Sequence, residues 1–182
     1  MNLKFTAIFL VHAAFGFSQQ TEIANSAHHP IGRLENFHRV DESLYRCEQP
    51  QTNDFMEIEK YGIKTVIDLR NRFDDRHELK STQLVAVHFP INSWEISYQH
   101  LVDVLKIIAS AEKPVLIHCL HGADRTGCAV ACYRMVFCNW TKEAAISEFL
   151  DPKFGYHEGW FPRMKNLLDA IDINQLKNDV GH

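Results

Sequence analysis

Apolar and polar positions change period several times along the chain, and each change marks an element. Phe55, Ile58 and Tyr61 recur at three-residue spacing and end at Gly62, which predicts an amphipathic helix over 51–61 capped by Thr52 or Asn53. Lys64-Thr65-Val66-Ile67-Asp68-Leu69 is a β-branched run that predicts a buried strand, and residues 84–89, stopped by Pro90, predict another. Ser97 caps a helix that runs to Ser110, with Leu101, Val104, Leu105 and Ile108 on one face. Pro114 opens a strand at Val115-Leu116-Ile117. Helices follow over 126–138, over 141–150 with Thr141 as cap, and over 162–176. Leu44-Tyr45-Arg46 predicts a short strand, and the densely charged residues 71–80 a loop or a surface helix. Strands alternating with helices give an α/β domain: a central, mostly parallel sheet of four to five strands flanked by helices on both faces.

The N-terminus breaks this rhythm. Met1-Asn2-Leu3-Lys4 brings one positive charge, and residues 5–17 are apolar except for Thr6, His12 and Gly16. Gly16 and Ser18 then precede the polar Gln19-Gln20. A basic start, a short apolar run and small residues at its exit predict a signal peptide over 1–18, with a buried N-terminal helix as the alternative. The run is too short for a good transmembrane helix, so the expectation is an exported protein, periplasmic or secreted, without stable membrane insertion. Residues 19–33 are polar, and 19–37 read as a mobile leader, leaving 38–182 as the folded domain. At 182 residues one domain is the natural size; no internal repeat is visible, and a monomer is expected.

Composition and charge narrow the function. A formal net charge of −4 offers no general basic footprint for nucleic acid. The five cysteines are Cys47, Cys119, Cys128, Cys132 and Cys138, and after export an odd number leaves at least one free thiol unless chains pair. Cys128, Cys132 and Cys138 read as buried small apolar side chains. Cys119 asks for another explanation.

It opens the segment Cys119-Leu120-His121-Gly122-Ala123-Asp124-Arg125-Thr126-Gly127, between an apolar strand and an apolar helix. A loop folded back at a helix N-terminus turns several N–H groups inward, and the helix dipole adds positive potential, which suits a phosphate. Gly122 permits the turn, and Arg125 can close the ring with a planar two-pronged contact. The loop residues Leu120, His121, Gly122, Ala123, Asp124 and Arg125 would bind the substrate phosphate. A thiol at a helix N-terminus beside an Arg has its pKa lowered to roughly 3.5–7.5, which makes Cys119 a candidate nucleophile behind the phosphorus. Thr126 would assist departure of the sulfur, and His118 would brace the loop. A metal cluster from His118, Cys119 and His121 matches no common zinc spacing, and a purely structural turn would not need Arg125.

His118-Cys119-x5-Arg125-Thr126-Gly127 resembles the signature loop of the protein tyrosine and dual-specificity phosphatase superfamily. The order of Leu44-Tyr45-Arg46, the helix to Gly62, the strand from Thr65 to Arg70 and the loop with its helix is similar to small exported bacterial dual-specificity phosphatases, over residues 38–160. The resemblance implies hydrolysis of phosphomonoesters, phosphotyrosine first and phosphoserine or phosphothreonine besides. It also implies a phosphocysteine intermediate and no metal or organic cofactor. Partners would be a phosphorylated protein or a small phosphate ester.

Two carboxylates compete to protonate the leaving oxygen. Related phosphatases place an Asp after the strand that precedes the helix leading to the loop. Here that stretch, Phe89-Pro90-Ile91-Asn92-Ser93-Trp94-Glu95-Ile96, has only Glu95. Asp124 lies inside the loop and resembles the aspartate of myotubularin-like loops; Glu95 is favoured because a separate loop better faces the leaving group. Asp68 and Arg70 read as an ion-paired scaffold, Trp94 and Tyr98 as walls that could stack on a phosphotyrosine ring, and Phe154-Gly155-Tyr156-His157 as a segment that could approach the site. Cys47 or Cys128 could cap Cys119 as a disulfide. Asp124 and His121 also open a second reading, a phosphoinositide or inositol-phosphate phosphatase. Further alternatives are an RNA 5′-triphosphatase, weighed down by the export signal and acidic balance, and a catalytically weak phosphate-binding module.

Overall fold

The computed structural model describes residue 31 and residues 33–182. The expected signal peptide and most of the expected leader lie outside the described residues.

Five strands form one sheet in the order β1-β2-β5-β3-β4, where β1 is His38–Arg39, β2 Leu44–Cys47, β3 Thr65–Asp68, β4 Val85–His88 and β5 Val115–His118. Only the edge pair β1–β2 is antiparallel; β2, β3 and β4 join the sheet by parallel pairing. The mostly parallel sheet is as expected, with β1 added. Register aligns Cys47, His118, Asp68 and His88 in one row at the carboxyl ends of the strands, the edge where open α/β sheets collect their ligands.

Side chains alternate across the sheet because the strand period is two. Val115 and Ile117 of β5 enter one core, and Leu116 between them enters the other. On the smaller face, α1 (Asp54–Tyr61) contributes Phe55 and Ile58, and a 310 turn (Glu78–Ser81) contributes Leu79. The larger face carries residues of α2 (Tyr98–Ser110), α3 (Asp124–Phe137), α4 (Lys142–Leu150), α5 (Pro162–Asp169) and α6 (Ile173–Val180). Helix α3 is buried almost all round, Cys128 and Cys132 included, as an apolar helix without a polar face must be.

Three sequence expectations need correction. The packed body starts before residue 38, because Ile31, Leu34 and Phe37 fill the smaller core. Helix α3 begins at Asp124, so Arg125 and Thr126 already belong to its first turn. The helix expected over 162–176 is two: Ile171 turns into the core, and the Asp172 side chain accepts from the Asn174 and Gln175 amides to start α6. Ser97 and Thr141 cap α2 and α4 as their positions predict.

Candidate active site

The loop between β5 and α3 sits on the carboxyl edge of the sheet, and its backbone is held from outside. The carbonyl of Cys119 faces His118 Nδ1 at 3.2 Å, and that of Leu120 accepts from the Gln49 amide at 3.1 Å. The His121 carbonyl accepts from Asn36 Nδ2 at 3.0 Å, and that of Gly122 from Arg46 Nη2 at 2.6 Å. With successive carbonyls drawn outward, the amides face the other way. Among the described residues, the N–H groups of residues 120–126 donate to no protein acceptor. Such unspent donors at a helix N-terminus form a nest for an anion.

Gly122 is fixed by sterics. Its φ is +65°, and a Cβ there would lie 2.2 Å from the Cys47 carbonyl oxygen. Cys119 is fully buried beneath a crest where Leu120 (51% exposed) and His121 meet solvent. Arg125 is half-buried, and its Nη1 donates to the carbonyls of Ile91 at 3.1 Å and Leu69 at 3.3 Å. These bonds hold the guanidinium at the carboxyl ends of β3, which lies beside β5, and of β4 beyond it. Its Nε, like Thr126 Oγ1, is buried without a partner. Of the six such side-chain atoms among the described residues, five belong to Asn36, Arg46, Gln49, Arg125 and Thr126, all in or bonded to the loop. Thr126 thus has a free hydroxyl in the first turn of α3, but no hydrogen bond joins it to Cys119.

His118 braces the loop through a buried network. Its Nε2 lies 2.7 Å from Asp75 Oδ2, and Asp75 also accepts from Arg70 at 2.6 Å and Gln49 at 2.9 Å. Arg70 in turn forks onto Asp68. Burial alone would raise the Asp75 pKa, but the contacts with His118, Gln49 and Arg70 outweigh it and hold the carboxyl below its ordinary range. Asp68 and Arg70 are therefore the ion-paired scaffold expected. Asp75 went unseen because it lies in a charged stretch that reads as a solvated loop.

The two candidate acids have different surroundings. Asp124, first in α3, is buried, and its carboxylate takes the His157 amide at 3.0 Å and faces His157 Nδ1 at 3.1 Å. It clasps the segment after α4 to the loop, as the expected approach of residues 154–157 requires. Glu95 is exposed on the β4–α2 loop, and its side chain has no partner among the described residues. That loop leaves the sheet at Ile91, which itself holds Arg125. Tyr98 does not wall the site: its hydroxyl donates to Asp179 of α6 at 2.7 Å. Trp94 is 62% exposed and packs edge-on against Phe161, while Trp160, which sequence reasoning missed, stacks on His157.

Among the described residues, a cation has one accessible set of ligands, His121, Asp124 and His157, whose ligand atoms lie within 4.8 Å of one another. The set Asp68, Asp75 and His118 is fully buried and already paired with Arg70. All five cysteines are free thiols in this structure.

Comparison with known proteins agrees with this geometry. The dual specificity protein phosphatase TpbA of Pseudomonas aeruginosa (strain UCBPP-PA14) is 33% identical over 122 residues, which cover 66% of this chain and 56% of that protein. The chain thus spans little more than half the length of this relative. The crystal structure of P. aeruginosa TpbA superposes with a TM-score of 0.74 at 27% identity, covering 81% of this chain and 92% of that one. A second TpbA structure, a cysteine-to-serine variant in complex with phosphotyrosine, gives 0.73 at 28% identity, covering 81% and 91%. An inositol diphosphatase of Arabidopsis thaliana, DSP3, is 26% identical over 151 residues, 78% of this chain and 72% of that protein. The model of the tyrosine phosphatase family matches residues 32–178, from the first packed residues to the last helix. A match over that span settles the family: the chain belongs to the tyrosine phosphatases.

Proposed function

We propose that this protein hydrolyses phosphomonoesters, phosphotyrosine foremost, through a phosphocysteine on Cys119. The observation that carries the reading is the run of unspent amides over residues 120–126, with Arg125 at its end and Cys119 at its start. The amides and the guanidinium take the phosphate oxygens, and their charge complement grows as negative charge builds in the transition state. The sulfur attacks phosphorus as the ester oxygen leaves with a proton, and water then cleaves the S–P bond to release inorganic phosphate. Glu95 supplies the proton in this reading, because Asp124 is committed to His157 and Glu95 is not. Capture of phosphotyrosine by a variant of TpbA supports the substrate class.

Cys119→Ser should abolish turnover of phosphotyrosine and retain binding of inorganic phosphate by calorimetry; a variant with near-normal turnover would overturn the mechanism. The inositol diphosphatase among the relatives favours a second substrate class, inositol phosphates. Values of kcat/KM on a phosphotyrosyl peptide and on inositol phosphates, measured side by side, rank the two. We also propose that residues 1–18 direct export. An N-terminus at Gln19 in the protein recovered outside the cytosol supports this, and intact Met1 opposes it.

A further inference from the structure

We propose that Arg46 is a second guanidinium of the site, a positioning residue that supplies from behind the loop the positive charge which keeps Cys119 ionised. The inference rests on the phosphocysteine reading and adds to it a residue from another strand. Arg46 lies on β2 opposite Ile117 of β5, two residues before Cys119. It is 1% exposed. Its Nη2 donates to the Gly122 carbonyl at 2.6 Å, and its Cζ lies 4.3 Å from the centre of the Phe154 ring. A Cβ at Gly127 would come within 3.6 Å of the same Nη2. The guanidinium therefore lies under the turn that joins the nucleophile to α3.

What is missing around it defines its task. A charge taken out of water needs a counter-charge, yet among the described residues no carboxylate lies within ion-pair distance of Arg46, and its Nε is buried without a partner. Glu148 is the acid whose charge reaches it, and Arg134 already holds Glu148 by two bonds of 3.0 and 2.7 Å. Cys119 opens the loop whose Gly122 carbonyl Arg46 holds. The titratable groups around the pair are Cys47 from β2, Cys128, Asp124, Arg125 and Arg134 from α3, Glu148 from α4, and His118, which precedes Cys119 on β5. Burial lowers the Arg46 pKa to about 10, so it still carries its charge at neutral pH. The thiolate and the phosphate that follows it are the compensation the framework does not provide.

The test reads the ionisation of Cys119 directly, as thiolate absorbance against pH with the Cys119→Ser protein subtracted. Arg46→Met keeps the bulk and removes the charge, and should raise the Cys119 midpoint by about one pH unit or more. Arg46→Lys keeps a charge without the fork, and should recover most of that shift while failing to restore full turnover. A midpoint unchanged in Arg46→Met would overturn the proposal. So would equal displacement in both variants, because loop damage alone does not distinguish charged from neutral. Should Arg46→Met fail to fold, Arg46→Gln read against Arg46→Lys makes the same comparison. Full turnover by Cys119→Ser would instead sink the phosphocysteine reading, and so separates the two failures.

Discussion

At the scale of single residues, the loop depends on positions where no other side chain works. Gly122 combines a φ of +65° with the Cys47 carbonyl in the space of its missing Cβ. Gly122→Ala should lower unfolding free energy by about 2 kcal/mol or more, since the left-handed conformation alone costs roughly 1–2 kcal/mol and the backbone must also move. Urea unfolding measures the loss, and phosphate affinity should fall with it. The choice between Glu95 and Asp124 also belongs at this scale. Glu95→Gln should slow phosphotyrosine turnover by on the order of 10²-fold, in the range of a lost general acid, and spare a substrate whose leaving group needs no proton. Asp124→Asn should lower activity on both substrates alike, because it loosens the clasp on His157. A selective loss in Asp124→Asn, with Glu95→Gln unaffected, would reverse the assignment.

At the scale of elements, the site depends on how closely α3 approaches its neighbours. Gly127 faces the ring of Phe149 from α4, and a Cβ there would lie 2.8 Å from the ring. Gly127→Ala should therefore push the two helices apart at a cost of about 1–3 kcal/mol, typical of overpacking. Because Arg125 and Thr126 stand in the same turn of α3, kcat should fall as well. Phe149→Leu, introduced into the Gly127→Ala protein, should recover part of both losses, which thermal unfolding and steady-state kinetics would show. The division of the last helix into α5 and α6 follows a similar logic. Apolar spacing continues through Leu167, Leu168 and Ile171, but Asp172 offers its side chain to the next two free amides and starts a new helix. Periodicity alone does not see that break.

At the scale of the whole molecule, a buried ionic network ties three separate stretches to the nucleophile's strand. Gln49 follows β2, Arg70 follows β3, Asp75 lies in the long connection to β4, and His118 ends β5. The Asp75 carboxyl is held below its ordinary range in the folded state, so its contribution is present above the unfolded value near 3.9 and is lost as pH falls through the lower folded value. Asp75→Asn should cost about 1.5–3 kcal/mol at pH 7, the range for hydrogen bonds to a charged group. The gap from the wild type should narrow steadily below about pH 4, and urea melts at the two pH values would show it. Much of this protein was legible in the chain itself. Alternating and helical periods report burial, so they revealed the strand and helix order, and the contiguous residues from His118 to Gly127 carried the loop chemistry. Tertiary structure alone decided what supports that loop. Arg46 is 76 residues from Gly122, Asp75 is 43 from His118, and Asn36 is 85 from His121. A charged residue in isolation reads as solvated surface, and it becomes part of a site only when folding removes its water and sets it against a particular carbonyl, imidazole or thiol.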